Sequence, residues 1–224
     1  MATPGSEREG NPLAVDLSVI APPGRCAVLT MELQRGVAGD LSAHRELVEA
    51  AERAGVVPNT ARLLGVARSL GIPVVHCTAE FRADRAGSAV NSQLLAAMLR
   101  NPDHLLTGTP AAELIPDLGP EPTDLVSPRY HGISPFTATS LDIWLRNLGV
   151  GTVVATGVSV NLGVLGMAIE AVNLGYQVVV PRDAVAGLPQ RYADDIVDNT
   201  FPLIATVTTV DDLTAAWAAA GPTG

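Results

Sequence analysis

Short apolar runs of strand length alternate along this chain with longer stretches whose apolar residues recur at helical spacing. Ala27 to Met31 reads as a first strand, and Val57 to Leu70 as a long helix with Pro58 near its start and Gly71 closing it. Ile72 to Thr78 is a second strand, and a helix over Ser92 to Leu99 ends at Asn101-Pro102. Leu105 to Thr123, rich in Pro and Gly, reads as a long surface loop before a third strand at Asp124 to Ser127 and a helix over Thr137 to Leu148. Val153 to Ala155, Asn161 to Leu174 and Tyr176 to Val180 form a strand, helix and strand in succession, with Gly175 closing the helix. Ala193 to Leu203 is a further helix, Ala205 to Thr208 a last strand and Val210 to Ala219 a terminal helix. Six strands alternating with helices predict an α/β fold, a three-layer α/β/α arrangement with a six-stranded parallel sheet and right-handed crossovers.

In such a sheet ligands bind outside the carboxyl ends of the strands, so the turn Gly157-Val158-Ser159-Val160 is expected to border a pocket. Backbone N–H groups at the start of the following helix suit an anion or a developing oxyanion there.

Composition narrows the class of molecule. A hydrophobic content of 47% against 17% charged residues is enough to build a core, which argues for one compact domain over residues 25–220 behind a tail and lead-in at 1–24. Met1 to Glu9 reads as mobile, with no signal-peptide pattern, and no apolar stretch is long enough for a membrane span. A net charge of -9 argues against nucleic acid or an anionic membrane as partner, and a cytoplasmic protein with a small-molecule ligand is expected. Cys26 and Cys77 sit in apolar strand-like surroundings and read as reduced, buried residues, although Cys77 falls near the pocket end of its strand. The four histidines, His44, His76, His104 and His131, lack metal-ligand spacing, so no metal and no cofactor are expected. Trp144 and Trp217 fall on helical patterns as packing or subunit-contact residues.

Three segments, in order, carry a family resemblance. AVLTMELQRGV from Ala27, SPRYHGISPFTATSLDIWLRNLGV from Ser127 and TGVSVNLGVLGMAIEAVNLGYQVVVPRDA from Thr156 together resemble the isochorismatase-like hydrolases. That superfamily, also called the cysteine hydrolases, includes nicotinamidases and N-carbamoylsarcosine amidases. The resemblance covers roughly residues 25–210. It implies a catalytic Asp, Lys and nucleophilic Cys, and this chain has Glu32, Arg129 and Gly163 at those positions. Isochorismatases proper also carry Gly at the Cys position, protonating a vinyl ether with no covalent intermediate, but they keep the Asp and the Lys. The resemblance further implies a cis peptide at Val158-Ser159 and a homodimer or homotetramer.

The chemistry of the three residues follows from their types. Glu32, at the end of a buried strand, is a candidate general acid or base, or a partner that neutralises Arg129. A guanidinium at Arg129 cannot act as a base but can clamp a planar anion at two points. Gly163 allows a ligand to approach the backbone, with the N–H groups of Leu162 and Gly163 as donors, or serves close helix packing. Gln34, His131, Ser159, Asn161, Leu162 and Cys77 complete the expected substrate-binding set, with His131 as a proton carrier and Asn161 as a helix cap or ligand contact. The resulting expectation is a hydrolase acting on a small anionic molecule by acid-base chemistry without a covalent cysteine intermediate. The alternative is a catalytically inactive relative serving as a binder or assembly partner.

Overall fold

A computed structural model of the chain describes residues 15–220. The expected tail at Met1 to Glu9 lies outside those residues. The strands are β1 (Cys26–Met31), β2 (Val74–Ala79), β3 (Leu125–Arg129), β4 (Thr152–Val158), β5 (Gln177–Pro181), β6 (Val185–Ala186) and β7 (Thr206–Thr208). All pair in parallel in the order β3-β2-β1-β4-β5-β7, with β6 alongside the end of β4. The six expected strands are present; β6 is the addition, since two residues are too few to show a period.

The strands are apolar on both faces, and successive residues feed opposite cores. Ala27, Leu29 and Met31 of β1 join Val153 and Ala155 of β4 in one cluster, covered by the helices Leu141–Asn147 and Leu165–Asn173 and by Phe201. Val28 and Val154 point the other way, against the helices Val56–Ser69 and Val210–Ala220. Trp217 is fully buried there, and its indole N–H donates to the Ala21 carbonyl at 2.8 Å, which makes it a packing residue.

Several expected boundaries move for local reasons. The helix expected from Thr137 starts only at Leu141, because 137–140 form turns in which Ala138 has a positive φ of 58°. The segment expected as Ala193 to Leu203 starts earlier, at Gln190, and runs through a π turn at Ile196–Thr200 into Phe201–Ile204. A similar π turn, Val160–Val164, opens the helix after β4. The helix Arg45–Arg53, absent from the sequence reading, has an amphipathic face with Val48, Ala50 and Ala51 buried. β3 runs to Arg129, beyond the expected Ser127, because Pro128 favours extended backbone and the parallel pairing continues to Ala79↔Arg129.

A buried polar network ties three strands and a helix together. The His76 ring is fully buried, with Nδ1 2.8 Å from Thr30 Oγ1 and Nε2 3.2 Å from Asp124 Oδ2. Asp124 also takes two hydrogen bonds from Arg68, at 3.1 and 2.7 Å, and one from the Glu121 N–H at 2.8 Å. Burial holds the His76 pKa below its usual 6.5, with Asp124 pulling the other way. Burial would raise the Asp124 carboxyl, but its hydrogen bonds from Arg68, Glu121 and His76 keep it below its usual 3.8.

Above 6.5 the imidazole is neutral in both folded and unfolded chains, and stability is lost as pH falls from there through the lower folded pKa. Asp124 adds a second loss, below 3.8. We expect urea unfolding to show stability falling between about pH 7 and pH 5. His76→Gln should lower stability at neutral pH but flatten that slope; an unchanged slope would assign the pH dependence to other groups.

Candidate active site

The chain reverses its direction of travel across the sheet between β1 and β4, which leaves a crevice at their carboxyl ends. At its centre Gly157, with φ of 104°, lies beside Met31; a Cβ there would sit 2.2 Å from the Met31 carbonyl oxygen, so glycine is required. The next peptide, Val158-Ser159, is cis, as the resemblance implies. Glu32 directly follows β1; its N–H donates to the Cys77 carbonyl at 2.9 Å and its φ of 51° turns the chain out of the sheet. A positive φ at a non-glycine residue costs about 1–3 kcal/mol and points to a position held by its surroundings.

Arg129 ends β3, and its side chain is 5% exposed against 14% for Glu32. Its Nη2 donates to Glu32 Oε1, its Nε lies 3.4 Å from the Gly132 carbonyl oxygen, and its Nη1 is buried without a partner. The pair lines a cavity of about 110 Å³ together with Ser159, Leu162 and Gly163. The remaining wall is mostly apolar, with Val37, Leu47, Leu94 and Met98, and His44 and His104 also face the cavity.

Gly163 is closed off by packing. A Cβ at that position would meet the Met31 side chain at 2.8 Å (Cε) and 3.1 Å (Cγ), and Met31 is fully buried. Met31 therefore fills the space into which a side chain at 163 would project. The Leu162 N–H, expected as a free donor, is engaged, donating to the Ser159 carbonyl at 3.1 Å.

Glu32, Arg129, Gly163, Ser159 and Leu162 come together at the cavity, whereas the other expected contacts do not line it. Gln34 is buried and its amide is consumed by backbone: Nε2 donates to Ala79 O and Ala112 O at 3.0 and 2.8 Å, and Oε1 accepts from Ala79 N at 2.8 Å. It clasps β2 to the 105–123 loop. The Cys77 thiol points into the core, where burial pushes its pKa up to about 12, and Cys26 is pushed up to about 12 in the same way. His131 borders a narrow cleft beside Arg129, shared with Phe81. Asn161 makes no helix cap; its Oδ1 is buried and unpartnered beneath Gly187, where a Cβ would come within 2.6 Å of it.

His44 and His104 were not marked by the sequence, because they sit outside every motif and 60 positions separate them. Leu94 and Met98 had a visible signal in their i, i+4 spacing on the helix Gln93–Arg100. Burial holds His104 below its usual pKa, with His44 and Arg85 adding to the effect and Glu32 opposing it. Among the described residues no cluster of three or more His, Cys, Asp or Glu side chains is arranged to hold a metal, and no helix is long and apolar enough to cross a membrane.

Residues 26–212 match the model of the isochorismatase domain family. The chain belongs to the isochorismatase family. Among curated family proteins, it is 32% identical over 182 residues to the ureidoacrylate amidohydrolase RutB of Variovorax paradoxus (strain S110), covering 74% of this chain and 70% of RutB. It is 33% identical over 102 residues to the uncharacterized isochorismatase family protein YwoC of Bacillus subtilis (strain 168), covering 45% of this chain. That match spans about half of YwoC's length, 53%. A solved family structure, an isochorismatase family protein from Burkholderia thailandensis, superimposes with a TM-score of 0.73 at 28% identity, over 87% of this chain and 96% of that one. The family fold and the three-layer parallel sheet therefore agree.

If Met31 occupies the volume of a side chain at 163, the two positions must be coupled. Gly163→Ala should destabilise by about 1–3 kcal/mol through overpacking, and Met31→Val by a similar amount through a cavity. Combined, the two changes should cost less than their sum by about 0.5 kcal/mol or more in a denaturation double-mutant cycle. Strict additivity would contradict the steric account.

Proposed function

We propose that this protein is a hydrolase that acts on a small molecule by acid-base chemistry, with Glu32 as the proton-transfer group and no covalent cysteine intermediate. The observation that carries the reading is the Glu32–Arg129 pair facing a largely apolar cavity beside a residue 163 with no side chain. Both cysteines are buried with their thiols held protonated, so neither supplies a thiolate nucleophile.

The amidohydrolase named among the relatives makes an acyl compound the natural substrate class to test. In the proposed reaction the substrate carbonyl oxygen accepts a hydrogen bond from the Arg129 guanidinium, which lines the cavity and whose charge strengthens that bond as negative charge develops on the oxygen. Glu32 takes a proton from water as the water oxygen bonds to the carbonyl carbon. The tetrahedral adduct then collapses, the carbon–nitrogen bond breaks, and the leaving amine receives the proton from Glu32. Arg129 remains charged throughout, so it holds and polarises the substrate and leaves proton transfer to Glu32. An enol ether suits the same residues with the order reversed, Glu32 donating first.

A second reading has its own observation. Glu32 and Arg129 already satisfy one another, and a pocket whose acid is neutralised serves equally as a binding site with no reaction. Turnover separates the two readings. Assayed on small amides and enol ethers, the proposed enzyme should lose about a hundredfold or more in kcat on Glu32→Gln. Arg129→Lys should also lose activity, since a point charge cannot hold Glu32 and a carbonyl at once. Intact-protein mass spectra during turnover should show no covalent adduct. An acyl adduct would overturn the non-thiol reading, and absence of turnover on both substrate classes would favour the binder.

A further inference from the structure

β3 ends in Arg129, and residues 130–140 then run as bends and turns up to the helix Leu141–Asn147. Gly132 and Ile133 of this loop form part of the cavity wall, and the Gly132 carbonyl accepts from Arg129 Nε at 3.4 Å. The place of the loop therefore bears on where the guanidinium lies. Among the described residues no backbone-to-backbone hydrogen bond has a partner within 130–139, so side chains have to position it.

The polar side chains next to the cavity wall converge on one residue outside it. Ser134 Oγ donates to Glu170 Oε2 and Thr137 Oγ1 to Glu170 Oε1, so both carboxylate oxygens are engaged by this loop. The backbones are close there as well: one helical turn before Glu170, a Cβ added at Gly166 would stand 3.5 Å from Ser134 Cβ. Phe136, between the two hydroxyl residues, is buried with its ring 6.0 Å from that of Tyr176, just past the helix that carries Glu170. At the start of the loop Ser88 Oγ donates to the Tyr130 carbonyl at 3.0 Å.

Glu170 is half-buried on the helix Leu165–Asn173, which continues from the π turn Val160–Val164. That turn brings Leu162 and Gly163 to the cavity, and Glu170 itself does not line it. One carboxylate thus spans two walls of the same cavity, the turn after β4 and the loop after β3.

We propose that Glu170 is a positioning residue for Arg129: through Ser134 and Thr137 it holds the Gly132 carbonyl where that group orients the guanidinium towards Glu32. Without the carboxylate the loop is free to draw Gly132 away from Arg129 Nε. The guanidinium then keeps Glu32 alone of its hydrogen-bond partners among the described residues. The effect on turnover rests on the function proposed above, and the effect on the guanidinium does not. A carboxylate that only stabilised the loop would, on removal, lower the melting temperature and leave Arg129 as it was.

The test follows the Arg129 Nε–H of the full chain by nitrogen–proton correlation NMR, the signal being assigned by its loss in Arg129→Lys. Turnover of small amides and enol ethers is measured beside it. Glu170→Ala should shift the signal and speed its exchange with solvent about tenfold. It should also lower kcat about tenfold with KM little changed, since a displaced group costs rate more than binding. Glu170→Gln, which keeps the length and one carbonyl acceptor, should recover most of both. Ser134→Ala with Thr137→Val, at half-buried and exposed positions, should reproduce the effect of Glu170→Ala and add little when combined with it. An Arg129 signal unchanged by Glu170→Ala or by the double substitution would overturn the positioning role, and so would losses that simply add in the combined variant. If the unaltered protein hydrolyses neither substrate class, the proposed chemistry fails and the Nε–H signal still decides the positioning.

Discussion

The ends of β1 and β4 approach each other closely enough that the Met31 carbonyl oxygen occupies the space a side chain at Gly157 would need. That contact exists because Met31 and Gly157 are register partners at the centre of the sheet, where the order of strands reverses. Much of the site is referenced to it. Glu32 leaves β1 one residue later in a left-handed conformation, Ser159 leaves β4 two residues later, and the turn beyond lays Gly163 over the Met31 side chain. A single residue, Met31, thus contributes backbone to one side of the crevice and side chain to the other.

Charge is arranged to suit this crowded place. An isolated carboxylate as little exposed as Glu32 would be costly, and so would a lone buried guanidinium; paired, each removes the other's penalty. The flat fork of an arginine serves Glu32 through one nitrogen and leaves another, the buried Nη1, without a partner. The acid and the guanidinium meet at the strand ends, and the volume into which a side chain at 163 would project is filled by Met31.

The platform beneath the site is stiff for a separate reason. Thr30, His76, Asp124 and Arg68 join β1, β2 and the entry to β3 to a packed helix through buried, well-partnered polar groups. Gln34 does the same at the upper edge of β2, saturating its amide with backbone. Residues that looked available for chemistry because of their type, Gln34 and Cys77 among them, are spent on holding the strands that carry Glu32 and Arg129.

Local periodicity determined the strands, the helices that cover them and their order, because burial on both sheet faces leaves apolar runs that any neighbouring residues must obey. It also marked the glycine turn after β4, where a strand end followed by a helix start can be read within a dozen residues. The sequence could nominate Glu32, Arg129 and Gly163 through a resemblance. It could not join Glu32 to a guanidinium 97 positions away, turn Cys77 inward or bring His44 and His104 to one cavity. Those outcomes depend on strand register and on which side chain fills which volume, quantities set by contacts between distant segments; only the folded chain decided them.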